Sequence, residues 1–417
     1  MLNAIAKQHR FINRYTVLIS FTILAGISQM LWLNFAPLIT MLEATYHVTE
    51  SDINWLLIVF PLIYVLLSIH AGIVIDRKGY RFGIGIGGWI MAIFACVRII
   101  DYSFMWLLIG QIGIAIGQPY VINGISKLVV DWFGQKQQAM ATGVGTVGMF
   151  AGMALALAGT PMLVDASGLQ ITMVIFAVIT IVSAVFFSLV AYPNPQNKLN
   201  ELMTSESGSI SWRDYIPLLC NRQLLLISII ALLAIGFFNG LTSWLEPILK
   251  PNGINAEGAG LIGGMLIIGG IVGASIIPGI SDKLGTMKPF LWISCLISVG
   301  LVYLICTLDQ YMLLLILGAV LGFIFLPGYA LLLSHTERLA GEQHAGEATG
   351  LIMLTGNLGG VLVILAMQLV KGDSATWINS VYLMMGLLVL CVILALNIKE
   401  GSSTPSKINH RRDVQSR

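Results

Sequence analysis

The 417-residue chain reads as an all-α membrane protein, twelve transmembrane helices in two pseudo-symmetric six-helix bundles, on three observations. Hydrophobic residues make up 57% and charged residues only 10%, against about 25% charged in a soluble globule. Spans of about 20 residues each then accommodate the apolar side chains in roughly twelve passes. Sequence landmarks recur at half the chain length, and Lys and Arg are distributed asymmetrically between alternate loops.

Apolar runs lie near 15–41, 53–75, 82–100, 104–130, 139–164, 169–192, 223–249, 258–280, 289–307, 310–333, 346–370 and 375–397. The first follows Lys7, Arg10 and Arg14 and is too long for a signal-peptide core, so a retained span is expected. The long polar stretch 193–222 divides the chain into an N-terminal bundle, 1–192, and a C-terminal bundle, 223–397, with a basic tail at 398–417. With both termini cytoplasmic, 19 of the 22 Lys and Arg fall inside, leaving Arg98, Lys250 and Lys371 outside. The outer face then sums to −6 and the inner to +8. An integral protein of the cell's inner or plasma membrane is expected, with the lipid bilayer as its surroundings and a monomer as its state.

Internal repetition supports two parallel halves. Gly72, Asp76, Arg77, Gly79 and Arg81 in the loop after the second run are echoed by Gly279, Asp282, Lys283 and Gly285 after the eighth, the two Asp lying 206 residues apart. Ala141-Thr142-Gly143 returns as Ala348-Thr349-Gly350, and Pro119 as Pro327.

Several chemistries find no support. A net charge of +2 leaves no nucleic-acid footprint. The five cysteines and six histidines lack metal-ligand spacing, so no metal or cofactor is expected. No Ser/His, paired-Asp or metal arrangement for an intramembrane enzyme occurs at membrane depth. Gly83-x-Gly85-x-x-Gly88 and Gly143-x-Gly145-x-x-Gly148 match a nucleotide fingerprint but lie in apolar helices, where close helix packing is the better reading. Gly143, Gly148 and Gly152 would let another helix approach the fifth span.

The G-x-x-x-D-R-K-G-x-R segment at 72–81 resembles the signature loop of the major facilitator superfamily. That resemblance implies a secondary transporter whose Asp76, Arg77 and Arg81, with Asp282, Lys283 and Gly285, form a conformational latch; Gly72 and Gly79 complete the motif. Gln118-Pro119, Asn123, Lys127 and Trp132-Phe133 in the fourth span, with Trp32-Leu33-Asn34-Phe35 in the first, resemble the feline leukaemia virus subgroup C receptor-related family. This narrower resemblance implies a small amine substrate such as choline or ethanolamine, with Trp32 and Phe237 or Phe238 facing its ammonium group, where the family has Tyr in the seventh span.

The residues themselves extend the candidate set. A cation over an indole face gains about 0.5–2 kcal/mol, which suits Trp32. Gln29 lies one turn before it, and Gln111, Gln118, Asn123, Asn239 and Asn357 are polar groups at membrane depth. Interhelical hydrogen bonding is the competing role for each. Glu246, beside Pro247, is the candidate coupling group, against a structural role beside Lys250; Arg98 and Asp101 are expected to pair. Few buried charges favour facilitated diffusion. The alternatives are a proton-coupled carrier of an organic acid, drug or metal chelate, and a non-transporting membrane sensor.

Overall fold

The computed structural model describes residues 13–100, 102–192, 220–341, 345–372, 374 and 376–399, and within them fifteen α-helices. The linker at 193–219, Asp101 and the tail beyond 399 lie outside the described residues. Twelve spans result. The first consists of α1 (Arg14–Leu33), a 3-10 turn at Ala36–Leu38 and α2 (Ile39–Tyr46). There follow α3 (Glu50–Lys78), α4 (Tyr80–Val97), α5 (Phe104–Ile122) with α6 (Gly124–Trp132), α7 (Gln135–Ser167) and α8 (Leu169–Val190). After the linker come α9 (Arg222–Leu249), α10 (Ala256–Leu284), α11 (Lys288–Thr307), α12 (Tyr311–Phe325) with α13 (Pro327–Ala340), α14 (Ala345–Lys371) and α15 (Ile378–Ala395).

The breaks have local causes. Proline lacks an N–H and crowds the preceding turn. Pro119 precedes the α5–α6 break at Asn123, and Pro327 opens α13. Pro37 lies in the 3-10 turn that divides the first span, a break the uniform apolar run at 15–41 conceals. Gly79 and Gly285 end α3 and α10 at φ +82° and +65°, backbone that only glycine adopts freely.

Helix neighbours fall into two sets, α1 to α8 and α9 to α15. Lipid-like surroundings give apolar helices no reason to seek each other, so close approach rests on small residues. A Cβ at Gly152 would stand 1.9 Å from Gly26 O, and one at Gly148 2.2 Å from Thr22 Cγ2, so α1 and α7 touch backbone to backbone. Gly359 repeats this in the second set, 1.9 Å from Leu232 O of α9. Gly143 has nothing within 4 Å, and so contributes to no crossing.

The two sets meet along α7–α10, α3–α14 and between α9 and the broken first span. At the end of the molecule away from the termini, hereafter the distal end, a Cβ at Gly260 would lie 2.1 Å from Leu157 O of α7. Toward the other end Gly279 of α10 has nothing within 4 Å. There α3 and α14 stay joined through Ile69, Ile73, Leu351 and Leu354.

Candidate functional site

The midsection of the first set is organised by Gln111. Completely buried on α5, its amide Nε2 donates to Leu56 O of α3 at 3.0 Å and to Leu31 O of α1 at 3.3 Å. Trp32 is 6% exposed and donates from Nε1 to Leu57 O at 3.3 Å, with its ring tilted against Phe60 at 6.4 Å. Gln29, on the preceding turn, is buried as well, and its Oε1, like that of Gln111, has no hydrogen-bond partner among the described residues. Two buried carbonyl acceptors without partners among the described residues, one a turn before Trp32 and the other on a side chain anchored to Leu31 O, are a costly arrangement that a polar or cationic solute would relieve.

Lower on α5, Gln118 is buried, and Asn123 stands at the helix break. Asn123 Nδ2 donates to Ser68 O (3.0 Å) and Oγ (2.9 Å), while its Oδ1 accepts from the Tyr64 hydroxyl at 2.7 Å. Tyr64 Oη also lies 3.4 Å from Met353 Sδ on α14, which brings the two sets together at this level. In the second set Phe237 is buried edge-to-face against Phe325 at 4.9 Å. Phe238 is half-buried, Asn239 is buried with its amide against Gly360, and Asn357 Nδ2 donates to Met353 O at 2.9 Å. The indole of Trp32 and the ring of Phe237 therefore each engage a ring of their own set.

The signature loops sit at the terminus side. Asp282 accepts from Arg338 Nη2 at 3.0 Å, joining the ends of α10 and α13 in an exposed pair. The equivalent Asp76 on α3 lies within electrostatic reach of Lys127 on α6. Arg81 stacks on Tyr192, its guanidinium carbon 4.7 Å from the ring centre. Arg77, Lys283 and the glycines Gly72, Gly79 and Gly285 frame these turns. The partner basic residues come from the fourth and tenth spans.

The distal end is closed by polar contacts between the two sets. Glu50 of α3 pairs with Lys371 of α14, and Gln368 bonds both Asn54 and Ser51. Glu246, only 4% exposed on α9, accepts from the backbone N–H of Thr40 on α2 at 3.3 Å. The cross-set partners Asn54, Gln368 and Lys371 escape sequence reasoning, because charged and polar residues at span ends look like ordinary loop residues. Among the described residues no group of three His, Cys, Asp or Glu gathers to hold a metal.

Arg98, just past α4, is 3% exposed. Its guanidinium lies 4.3 Å from the Phe35 ring centre and Nη2 3.4 Å from Met173 Sδ, while Nε and Nη1 have no partner among the described residues. Burial lowers its pKa to about 9. The expected pairing with Asp101 falls on a residue outside those described.

Twelve apolar spans, two sets of helices joined through three interfaces, and buried polar groups at mid-depth define a helical membrane carrier. Residues 21–364 match the family model of the Major Facilitator Superfamily, and the chain belongs to that superfamily. It is a secondary transporter working by alternating access. The chain is 35% identical over 188 residues to an uncharacterized protein of Archaeoglobus fulgidus, covering 45% of this chain and 85% of that one. It is 23% identical to the choline/ethanolamine transporter FLVCR1 of Felis catus over 92% of this chain and 72% of that protein. A bacterial homolog of the human lysosomal transporter Spinster, in an inward-facing and occupied conformation, superposes with TM-score 0.69 at 16% identity, covering 92% and 95% of the two chains.

Proposed function

We propose that the protein carries a small amine of the choline or ethanolamine kind by facilitated diffusion, its two bundles, 1–192 and 223–397, rocking about the mid-depth polar groups. The observation that carries this reading is that the same level of the first bundle holds the buried Trp32 indole, a cation-attracting face, and the Oε1 atoms of Gln29 and Gln111, acceptors for a hydroxyl or ammonium that have no partner among the described residues. The likeness to a choline/ethanolamine transporter points the same way. Gln118, Asn123, Phe237, Phe238, Asn239 and Asn357 complete the path, and the Asp76 and Asp282 loops latch its terminus side. The charge count supports a cytoplasmic position for that side and both termini, with the distal end outside.

Radiolabelled choline and ethanolamine uptake into proteoliposomes tests the reading. Saturable flux is expected in the wild type. The loss of a cation–π contact of about 0.5–2 kcal/mol in Trp32→Ala weakens apparent affinity by about 2- to 30-fold or abolishes flux. Absence of flux for both amines refutes the substrate assignment. A proton-coupled carrier of an organic acid, drug or metal chelate is the second reading, favoured by the buried carboxylate of Glu246; accumulation of such a solute above its external concentration under an imposed pH gradient would select it.

A further inference from the structure

The division of the first span creates a helix start in the middle of a membrane protein. The first N–H groups of any helix lack intrahelical partners and carry the positive end of its dipole. In α2 the N–H of Thr40, the second residue, is taken by a carboxylate oxygen of Glu246 at 3.3 Å, and that carboxylate belongs to the opposite bundle. Glu246 thus caps the restarted first span in trans. With the distal end closed Glu246 is 4% exposed and Thr40 is half-buried, so the contact stands at the edge of the outer water.

We propose that Glu246 is a proton-binding site of the outer gate, its anion clamping α2 against α9 and its neutral acid releasing them. The inference rests on the reading of the distal end as the outer face of an alternating-access carrier. A proton from the outer water forms an O–H bond on the carboxylate, the anion that the helix start attracts is lost, and the Thr40 N–H···O contact gives way as the bundles part. On reclosing the proton returns to the same water, so none crosses the membrane and the device regulates a facilitator without driving it. The charged groups facing Glu246 are Glu43, one turn along α2, and Lys250, one turn beyond it on its own span. Glu43 opposes the anion and Lys250 supports it; beyond Glu43 stand Glu50 and Lys371, which neutralise each other. Glu50 and Lys371 close the α3–α14 side through a pair that does not include this carboxylate, so α2 and α9 form the proton-sensitive part of the gate.

The test uses the full chain in lipid nanodiscs, with spin labels on cysteines replacing the exposed Ala166 and Gln310 and with Cys96 and Cys220 changed to serine. Between about pH 7.5 and about pH 5.5 the long-distance population of the wild type is expected to rise by about threefold or more. Glu246→Gln is expected to show the acid distribution at both pH values, and Glu43→Gln to keep the shift. Thr40→Pro removes the donor in the first turn of α2, leaves the carboxylate in place, and is expected to abolish the shift. It decides the matter if Glu246→Gln does not fold. A wild type indifferent to pH, or a full shift in Glu246→Gln or Thr40→Pro, overturns the proposal. No substrate enters this readout, so a failure of amine uptake leaves it standing, and its own failure leaves the amine reading untouched.

Discussion

Gly260→Ala is the sharpest probe of alternating access, because its clash exists in one conformer only. A Cβ at Gly260 would stand 2.1 Å from Leu157 O, with Leu157 C and Pro161 Cγ both at 3.1 Å. The ordinary closest approach of carbon to a carbonyl oxygen is about 3.3 Å, so α7 and α10 must separate by about 1 Å. The obstruction is backbone and cannot rotate away. Overpacking of this size costs about 1–3 kcal/mol. Since the contact joins opposite bundles, that cost falls on the closed distal end alone and shifts the ratio of closed to open conformers by about 5- to 150-fold.

The control lies between three and four turns away on the same helix. A Cβ at Gly273 would meet Phe323 O at 2.1 Å, but Phe323 belongs to α12 of the same bundle. That clash persists through the cycle, so Gly273→Ala should lower the melting temperature and leave the conformer ratio alone. Distances between labels at positions 166 and 310 read both variants. An unchanged distribution in Gly260→Ala, or an equal shift in Gly273→Ala, would refute the assignment of α7–α10 as a breakable interface.

Three further outcomes follow from the side-chain geometry. Arg98→Met should raise thermal stability by about 1–4 kcal/mol, as replacement of a buried charge by an apolar side chain does where the charge lacks an ion-pair partner, which is so for Arg98 among the described residues; a fall in melting temperature would show that the charge is paired. Because the folded pKa of about 9 lies below the ordinary arginine value, the unfolded chain holds its proton longer, and this group's penalty fades as pH rises through about 9, so a wild-type melting temperature that gains on Arg98→Met between pH 8 and 10 is expected. Asp282→Asn breaks an ion pair whose side chains are 70% and 64% exposed; stability should change by less than about 1 kcal/mol, and a larger loss in a melting curve would show that the pair is structural.

The twelve spans were legible because each is an apolar run bounded by charge, a signal summed over some twenty residues that single exceptions cannot hide. The breaks in the fourth and tenth spans were legible at Pro119 and Pro327. The break in the first was not, although Pro37 lies within it, because Asn34 is the one polar residue between Trp32 and Thr40 and hydropathy barely changes there. That omission hid the helix start on which Glu246 acts. Glu246 itself stood out as an acid within an apolar run, but its partner is a backbone N–H, which carries no sequence signal at all.

The polar mid-depth residues illustrate the complementary limit. Helical period puts Gln29 and Trp32 on one face, and places Gln111 and Gln118 together, yet it does not say which atoms of these residues are already in use. Three-dimensional packing commits Gln111 Nε2 and Trp32 Nε1 to backbone carbonyls and leaves the two Oε1 atoms unpartnered. It also engages Phe237 with Phe325. An aromatic cage from both bundles therefore requires the C-terminal ring to leave Phe325 as the bundles rock, whereas the N-terminal indole is held in place by Leu57 O. In the proposed amine site the first bundle would supply the fixed half and the second the movable half, and substitution of Phe325 by leucine should alter substrate affinity through Phe237 without touching Trp32. An affinity change in Phe325→Leu that survives in a Phe237→Leu background would place the effect elsewhere.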